Sequence, residues 1–213
     1  MQHRAISAED KAVRFDALLD AAEKLWLAEP GQIPSVARIA EAAGVAKGTV
    51  YLYVRGKETL LLTLHERHLQ CFFGQVAARA AMPGSMNIDD MLAILSRFLD
   101  ETPAFLPLAS LSHGLLERQI PLDTGFAFEE RTHAGLASVV ESLRPHFPGI
   151  SQELMLQSYA LILGLWPLLR PSPLKALIQE RELGSVCALD YRNMLDTALR
   201  ALWRGAFSQE GSS

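Results

Sequence analysis

Apolar residues recur at helical spacing along most of the chain. In the first such segment they occupy positions i, i+3, i+4, i+7 and i+8, which predicts one buried face of an α-helix. This stripe consists of Leu18, Ala21, Ala22, Leu25 and Trp26. Pro30 and Gly31 end the helix. No segment alternates apolar and polar residues with the period of two and the β-branched content of a strand, so the pattern predicts an all-α protein.

Capping residues, glycines and prolines divide the rest of the chain into further helices, about nine in all. Ser35 is placed as the N-cap of a second helix, and Gly44 suits the left-handed position that ends it. A short helix within 45–54 comes next, and a long fourth helix runs from Lys57 to about Arg79. The later helices are predicted at 88–101, 103–117, 122–146, 151–169 and 186–204. The segment 81–85 is the clearest linker, and a proline-rich break at 170–175 precedes a short turn.

The second and third helices are joined by a tight turn that contains a glycine, which is typical of a helix-turn-helix. Ala40 lies four residues before Gly44 and ten before Val50. A small residue allows the helices to cross closely, the glycine makes the corner, and the β-branched residue fills the space beneath it. The second helix of such a motif enters the major groove of DNA.

The stretch VAKGTVYLYV, residues 45–54, carries unusual polar and aromatic residues for a short helix. With Val50 and Val54 turned inward, helical geometry points Lys47, Thr49, Tyr51 and Tyr53 to other faces, including the exposed one. Tyrosine hydroxyls donate hydrogen bonds to phosphate, and a lysine at a helix start adds its charge to that end. The alternative is that both tyrosine rings pack on the first or the fourth helix.

The distribution of charge changes the interpretation of the net charge, which is −4. A negative chain does not coat nucleic acid. The segment 31–57, however, contains four basic residues against the single acidic residue Glu41. The basic residues are Arg38, Lys47, Arg55 and Lys57. Such a basic island can hold phosphate, although a small charge cluster is also compatible with an ordinary solvated face.

Composition indicates a reduced, cytoplasmic setting. Cys71 and Cys187 are the only cysteines, lie far apart and form no CxxC spacing. The N-terminal stretch lacks the apolar core of a signal peptide, and no charge-free apolar run of membrane-spanning length follows. The apolar fraction, 49%, is high for such a chain. It suggests that a partner subunit covers part of the surface or that the chain encloses a cavity.

From residue 14 to residue 62 the chain resembles the TetR family of bacterial transcriptional regulators. The resemblance rests on LLDAAEKLW followed by PSVARIAEAAGVAKGTVYLYVRGKETLL. It implies an all-α fold with a three-helix helix-turn-helix DNA-binding domain over 8–56 and a helical effector-binding and dimerisation domain over 57–208. It also implies a homodimer that binds a palindromic operator in double-stranded DNA, repression as the default, a small-molecule effector, and no cofactor or metal.

The same resemblance assigns the DNA-binding residues position by position. The implied set is Ser35, Arg38, Lys47, Gly48, Thr49, Tyr51, Leu52, Tyr53 and Lys57. Ser35 and Lys57 are expected to contact phosphate, and Arg38 to contact DNA from the supporting helix. Two positions depart from the family pattern: Ala46 stands where a serine is common, and Val54 replaces the usual phenylalanine. These departures make the operator sequence harder to infer.

Two apolar stripes near the C-terminus are candidates for the dimer interface, since one helix-turn-helix offers few contacts to DNA. The residues are Leu154, Ser158, Leu161, Ile162, Leu165, Leu195, Ala198, Leu199 and Leu202. Small residues in these stripes allow helices to approach closely, and both helices are apolar over more than one face. We therefore favour a four-helix interface between two chains over the alternative that both stripes face their own core.

Large apolar residues of the middle helices are candidates for an effector pocket, the function that the resemblance places there. The residues are Phe98, Phe105, Leu108, Leu111, Leu115, Arg118, Phe126 and Trp166. Such a pocket suits a hydrophobic or aromatic molecule, oriented by Arg118 or by His113, Glu117 or His133. The alternative is that these aromatic residues simply fill the core. The long helix from Lys57 is expected to couple the pocket to the DNA-binding part.

Two other classes of function have less support. His65 and His68 stand three residues apart on a helix, but one such pair lacks the further ligands of a metal site. No GxSxG motif, P-loop or glycine-rich dinucleotide turn is present, so an enzyme is not expected. A helical protein-interaction module without DNA affinity would use the basic island and the tyrosines to bind protein instead.

Overall fold

The computed structural model describes residues 8–29, 32–112, 118–181 and 190–208. Ten α-helices and no β-strand occur within these ranges. The helices are α1 Ala8–Ala28, α2 Val36–Ala42, α3 Lys47–Val50, α4 Lys57–Ala80, α5 Ile88–Glu101, α6 Phe105–Ser112, α7 Leu122–Leu143, α8 Gln152–Leu169, α9 Pro173–Glu180 and α10 Tyr191–Ser208. The all-α prediction is confirmed.

The predicted helices differ from the observed ones mainly near the C-terminus. The proline-rich break does not end in a turn: α9 begins at Pro173, because proline is well tolerated in the first turn of a helix. The Ser172 hydroxyl caps this helix by accepting a hydrogen bond from the Lys175 N–H at 3.2 Å. The last helix continues to Ser208, beyond the predicted end at residue 204. The predicted stretches 113–117 and 186–189 lie outside the described residues.

The helix-turn-helix forms as its turn residues predict. The Ser35 side chain caps α2 by accepting a hydrogen bond from the Arg38 N–H at 3.3 Å. Gly44 adopts a φ of 68°, a left-handed value that costs glycine little. The Val45 N–H then donates to the Ala40 carbonyl at 2.9 Å, which closes the corner before α3.

The described chain forms two compact units. The first comprises the residues up to Leu69 together with Thr102–Arg131, and the second comprises Gln70–Glu101 and the residues from Thr132 onward. The first unit therefore contains α1, α2, α3, the first half of α4, α6 and the start of α7. The predicted boundary between residues 56 and 57 separates domains by function rather than by compactness, and it stays a prediction.

One apolar core holds the first unit together. Its buried residues are Leu18, Leu19, Ala21, Ala22, Trp26, Ile39, Ala40, Val50, Val54, Leu60, Leu61, Leu64, Ala104 and Leu108. The α6 residue Leu108 is fully buried in the same cluster as Ile39 of α2 and Val50 of α3. Because close-packed cores transmit displacements, a movement of α6 is expected to shift α2 and α3 as well.

A polar network ties α1 to α4 within this unit. The buried His68 ring lies with Nε2 at 2.9 Å from Glu23 Oε1. Arg67 donates to Glu23 Oε2 at 3.0 Å and to Asp20 at 2.7 Å. His65 is also buried and packs on Phe105, with ring centroids 5.6 Å apart. Both histidines of the HERH run are therefore built into the core of the first unit.

We expect Glu23→Gln to lower the free energy of unfolding by about 1 to 2 kcal/mol at pH 7, since it weakens charge-assisted hydrogen bonds at a partly exposed site. The hydrogen bond with His68, and then the charges of His68 and Arg67, hold the pKa of Glu23 below its ordinary value near 4.5. A lowered carboxyl pKa adds stability above the ordinary value, and that stability is lost as pH falls through the lowered pKa.

Urea unfolding of both proteins at pH 7 and at about pH 3.5 checks this. The control is the exposed Glu141→Gln, because the ion pair that Glu141 makes in the described part of the chain is an exposed one with Arg144, one turn away. The gap between wild type and Glu23→Gln should shrink at the lower pH. Equal stability at pH 7, or a gap that stays constant with pH, contradicts the assignment.

In the second unit α8 and α10 pack against each other. The Trp203 indole N–H donates to the Ser158 hydroxyl at 2.9 Å, and that hydroxyl donates to the Leu154 carbonyl at 2.8 Å. The Tyr191 hydroxyl donates to the Ile162 carbonyl at 3.0 Å, and burial raises the pKa of Tyr191. These buried polar groups are satisfied, which fixes the register of the two helices.

None of the helices in the described residues is both long and apolar enough to span a membrane. In the same residues, no group of three or more histidine, cysteine, aspartate or glutamate side chains is placed to hold a metal ion.

Candidate nucleic-acid interface and effector cleft

The surface around α3 is built on two buried valines. Val50 and Val54 are almost fully buried, as their spacing predicts. Only Lys47–Val50 is regular α-helix, but the chain keeps turning because the Leu52 and Tyr53 N–H groups donate to carbonyls three residues back. Tyr51 is 52% exposed and Leu52 79% exposed. Exposed apolar and aromatic area of this size marks a contact surface.

Tyr53 has a different environment from Tyr51. Its ring stacks on Phe15 of α1, with centroids 5.7 Å apart and planes 8° from parallel, and it packs partly against the core. For Tyr53, the alternative that the ring packs on the first helix therefore holds, because α1 passes close enough to cover it, and its part in DNA binding stays a prediction. The hydroxyl of Tyr53, rather than the face of its ring, is therefore the group available for contact with DNA.

Most basic residues of the basic island, the segment 31–57, form ion pairs with carboxylates. Arg38 donates two hydrogen bonds to Glu29, at 2.8 and 2.7 Å. This contact lowers the pKa of Glu29 and raises that of Arg38, so both stay charged. Lys57 lies 3.8 Å from Glu58. Arg55 is likewise paired, whereas no carboxylate of the described chain lies within ion-pair distance of Lys47.

The remaining predicted DNA contacts lie on the same surface. Lys47 and Gly48 are exposed and Thr49 is half-buried. A Cβ built on Gly48 would meet no atom within 4 Å, so the backbone there is open to close approach. The exposed Ser35 already uses its hydroxyl oxygen to cap α2, which leaves its O–H proton for a phosphate. The geometry provides a lysine, hydroxyls and an exposed tyrosine side by side.

A cleft of about 490 Å³ lies in the first unit, between α4, the end of α6 and the start of α7. It is lined by Leu62, Ser112, Ile120, Pro121, Leu122, Gly125, Phe126, Phe128 and Glu129. Its size and apolar walls fit the usual dimensions of a small-molecule site. Leu62 lies beside Leu61, which is part of the core under the helix-turn-helix.

Of the described residues predicted to bind a ligand, Phe126, which is 72% exposed, lines this cleft. The other described ones are not among its lining: Phe98 is buried with its ring tilted against Phe72, Phe105 and Leu108 are buried, Leu111 packs against the core, Arg118 is exposed, and Trp166 meets Tyr191 edge-on. Leu115, like His113 and Glu117, lies outside the described residues. Phe105 and Leu108 are buried, as the alternative of plain core expects, and their part in ligand binding stays a prediction.

The predicted dimer stripes also need correction. Leu154, Ser158, Ile162, Leu195 and Leu199 are each at most 7% exposed within a single chain. Their side chains fill the contact between α8 and α10 of one chain, so they are not exposed for contact with a second chain. Leu161, Leu165, Ala198 and Leu202 are half-buried. For these helices, the stripe with the strongest apolar periodicity is the internal one.

The outer faces of α8 and α10 carry a second set of small and apolar residues. On α8, Leu156 and Leu168 are 62% and 66% exposed, and the exposed Ala160 and Gly164 lie between them. On α10, Ala201 and Gly205 are exposed. A Cβ on Gly164 or Gly205 would meet nothing within 4 Å. Two large apolar side chains separated by small ones form a face suited to close helix packing.

The fold and this surface define a helix-turn-helix DNA-binding protein. Two family models match the chain: "Bacterial regulatory proteins, tetR family" over residues 18–64, and "Tetracyclin repressor-like, C-terminal domain" over residues 66–210. The chain belongs to the TetR family of bacterial DNA-binding transcriptional regulators. The resemblance noted in residues 14–62 is therefore confirmed and extends to the C-terminal part.

Several solved structures share this fold. The fatty acid degradation regulator FadR from Bacillus halodurans is 20% identical, with a TM-score of 0.55 over 90% of this chain and 98% of that one. A TetR family regulator from Marinobacter aquaeolei VT8 is 19% identical, with a TM-score of 0.51 over 94% and 98%. A candidate TetR-family regulator from Mesorhizobium loti is 17% identical, with a TM-score of 0.58 over 93% and 96%. No match is found among curated proteins.

Proposed function

We propose that this regulator is a repressor that leaves a palindromic operator when an apolar small molecule occupies the cleft at the start of α7. The observation that carries the proposal is the position of the cleft in the compact unit that contains the helix-turn-helix. Repression and a palindromic site are the expected mode of the family, whose members bind DNA and dimerise.

The DNA contact is proposed for the exposed surface of α3 and the turn after it. Lys47 offers a charge that no described carboxylate neutralises, and Tyr51 offers an exposed ring with a hydroxyl. Lysine contacts to phosphate provide affinity, and an aromatic side chain in the major groove reads base edges or the thymine methyl group. Thr49 and Tyr53 contribute hydroxyls at the edges of the same surface.

The coupling between the cleft and the DNA-binding surface is proposed to run through two helices that take part in both, α4 and α6. Leu62 lines the cleft, while Leu60, Leu61 and Leu64 of the same helix belong to the core under α2 and α3. Ser112 lines the cleft at the end of α6, and Leu108, one turn earlier, lies in that core. A ligand that moves either helix therefore shifts the packing beneath α3. An effector works only by binding one of these arrangements better than the other.

A homodimer is proposed to form through the outer faces of α8 and α10. Leu156 and Leu168 would supply the apolar contacts, and Ala160, Gly164 and Gly205 would allow the helices to approach closely. A two-fold arrangement of this kind presents two copies of α3 to successive turns of a duplex. This spacing is the physical reason for a palindromic site.

A ligand screen tests the effector part of the proposal. Hydrophobic and aromatic compounds that raise the thermal unfolding midpoint of the wild type are rescreened on Gly125→Leu. Gly125 and Ile120 both line the cleft, and a Cβ at Gly125 lies 3.3 Å from Ile120 Cδ1, so a leucine there is expected to narrow the cleft and displace part of its wall. We expect a true effector to stabilise only the wild type and to weaken its operator binding by ~5 to 150-fold.

The operator fragment for this assay is taken from the intergenic DNA beside the gene, where a palindrome is sought. Compounds that stabilise both proteins equally bind elsewhere. If every stabilising compound acts equally on Gly125→Leu, the cleft is not the effector site. If compounds bind the cleft but leave operator affinity unchanged, the proposed coupling is wrong.

A further inference from the structure

Arg55, directly after the α3 surface, makes a two-point contact with Asp123 in the first turn of α7. Its Nη1 lies 3.2 Å from Asp123 Oδ1, and its Nη2 lies 3.0 Å from Oδ2. Both side chains are about two-thirds exposed, at 66% and 64%. This is the fork geometry with which a guanidinium also grips a phosphate.

Stability alone does not account for this ion pair. Exposed pairs of this kind contribute little to the free energy of folding, because water and salt screen them. Asp123 also has other partners: its Oδ1 accepts hydrogen bonds from the Thr124 N–H at 2.8 Å and from the Thr124 hydroxyl at 3.3 Å. The Thr124 N–H, followed by the charge of Arg55, lowers the pKa of Asp123, so the carboxylate stays ionised at neutral pH.

Arg55 is exposed and lies in the chain between Tyr53 and Lys57, two of the predicted DNA contacts. The cost of releasing Arg55 from an exposed carboxylate is small, and a phosphate offers the guanidinium an equivalent anion. We propose that Arg55 is a further operator-phosphate ligand, which Asp123 holds in the free protein and which transfers to DNA on binding. This inference rests on the proposed DNA-binding surface.

The same arrangement recurs at Arg38 in α2 of the helix-turn-helix. Arg38 is held by Glu29 through two hydrogen bonds. Both arginines of the basic island are thus neutralised while the protein is free, and Lys47 has no such described partner. Built-in carboxylates reduce attraction to unspecific DNA, and the guanidiniums remain available where phosphates are correctly placed. Asp123 is therefore a competitor for Arg55 rather than a structural support.

The test measures binding of the full chain to a fluorescent duplex of arbitrary sequence, about 30 base pairs long, between about 50 and 200 mM NaCl. Phosphate contacts do not depend on sequence, so no operator is needed. Asp123→Asn should bind ~3 to 10-fold tighter, with the same salt dependence as the wild type. Arg55→Gln should bind more weakly, and its slope of log K against log salt should be shallower by ~0.9 per bound chain.

The double variant separates competition from other effects. With Arg55→Gln present, Asp123→Asn should produce much less gain than in the wild type. The control for net charge is Asp100→Asn, which removes the same charge from a pair with Arg192 on α10 and should leave affinity within twofold, roughly the scatter of surface changes. Unchanged thermal unfolding midpoints should accompany all four variants.

Two results overturn the inference. If Arg55→Gln leaves both affinity and slope unchanged while Lys47→Ala weakens binding, the DNA surface is correct but Arg55 is not part of it. If Asp123→Asn weakens binding, the ion pair positions α3 and does not compete with DNA. Should Lys47→Ala and Arg55→Gln both have no effect, the proposed DNA-binding surface itself is wrong.

Discussion

Replacing Lys47 and Tyr51 together with alanine is expected to weaken operator binding by about 10³-fold or more. Each lost contact is worth about 1 to 3 kcal/mol, and a dimer loses both contacts twice. The slope of log affinity against log salt should also become shallower, by ~0.9 for each lysine removed. Fluorescence anisotropy with the operator fragment measures both quantities.

The fold should survive this double substitution. Lys47 is exposed and Tyr51 is about half exposed, so neither side chain fills the core under α3. Tyr53→Phe is the matched control, since it keeps the ring stacked on Phe15 and removes only a hydroxyl. It should reduce affinity far less than the double variant. An unfolding midpoint that drops with the double variant, or an equal loss in Tyr53→Phe, would contradict the assignment.

Introducing glutamate at Gly164 is expected to raise the dimer dissociation constant by about 10²- to 10³-fold. The change places a charge in the centre of the proposed α8 face, where two copies would meet, and a buried unpaired charge costs about 3 to 5 kcal/mol. Within one chain the substitution is harmless, because a Cβ at Gly164 meets nothing within 4 Å. Sedimentation over a range of concentrations measures the dissociation constant.

The control is Ala93→Glu, which adds the same charge at an exposed position of α5. It should leave the oligomeric state unchanged, and Gly164→Glu should lose cooperative operator binding along with dimerisation. A Gly164→Glu protein that sediments as the wild-type dimer would show that the outer face of α8 is not the interface.

The helix-turn-helix could be predicted from sequence because its signals are local. Ser35, Gly44 and Val50 act within a few residues of each other, so capping, a left-handed turn and one buried side chain are enough to define it. The family resemblance added the predicted role of Lys47 and Tyr51 as DNA contacts. The structure places both on an open surface.

The cleft and the dimer face could not be predicted in the same way, because they depend on which helices meet. Leu108 is a pocket candidate because it is a large apolar residue of a middle helix, yet it packs on helices that precede it by many residues in the chain. In α8, periodicity identified the stripe with Leu154 and Ile162, and this stripe is buried against α10 of the same chain. A sequence shows that a helix has two apolar faces. It does not show which face packs against another helix of the same chain and which stays exposed.

The distinction between Tyr51 and Tyr53 is of the same kind. Both side chains lie on the predicted helix two residues apart, and both carry a hydroxyl suited to phosphate. Only the position of Phe15 on α1 separates them, since its ring covers Tyr53 and leaves Tyr51 exposed. Contacts between helices, rather than residue type, decide which of two similar side chains is available.

The most direct test is a titration of a palindrome-bearing duplex from the intergenic DNA beside the gene, with the bound mass measured at several salt concentrations. We predict two chains on each palindrome, an affinity that falls steeply between about 50 and 200 mM salt, and little binding to a duplex with one half-site scrambled. Binding of a single chain, or an affinity that does not change with salt, would contradict a dimer that contacts phosphates through Lys47.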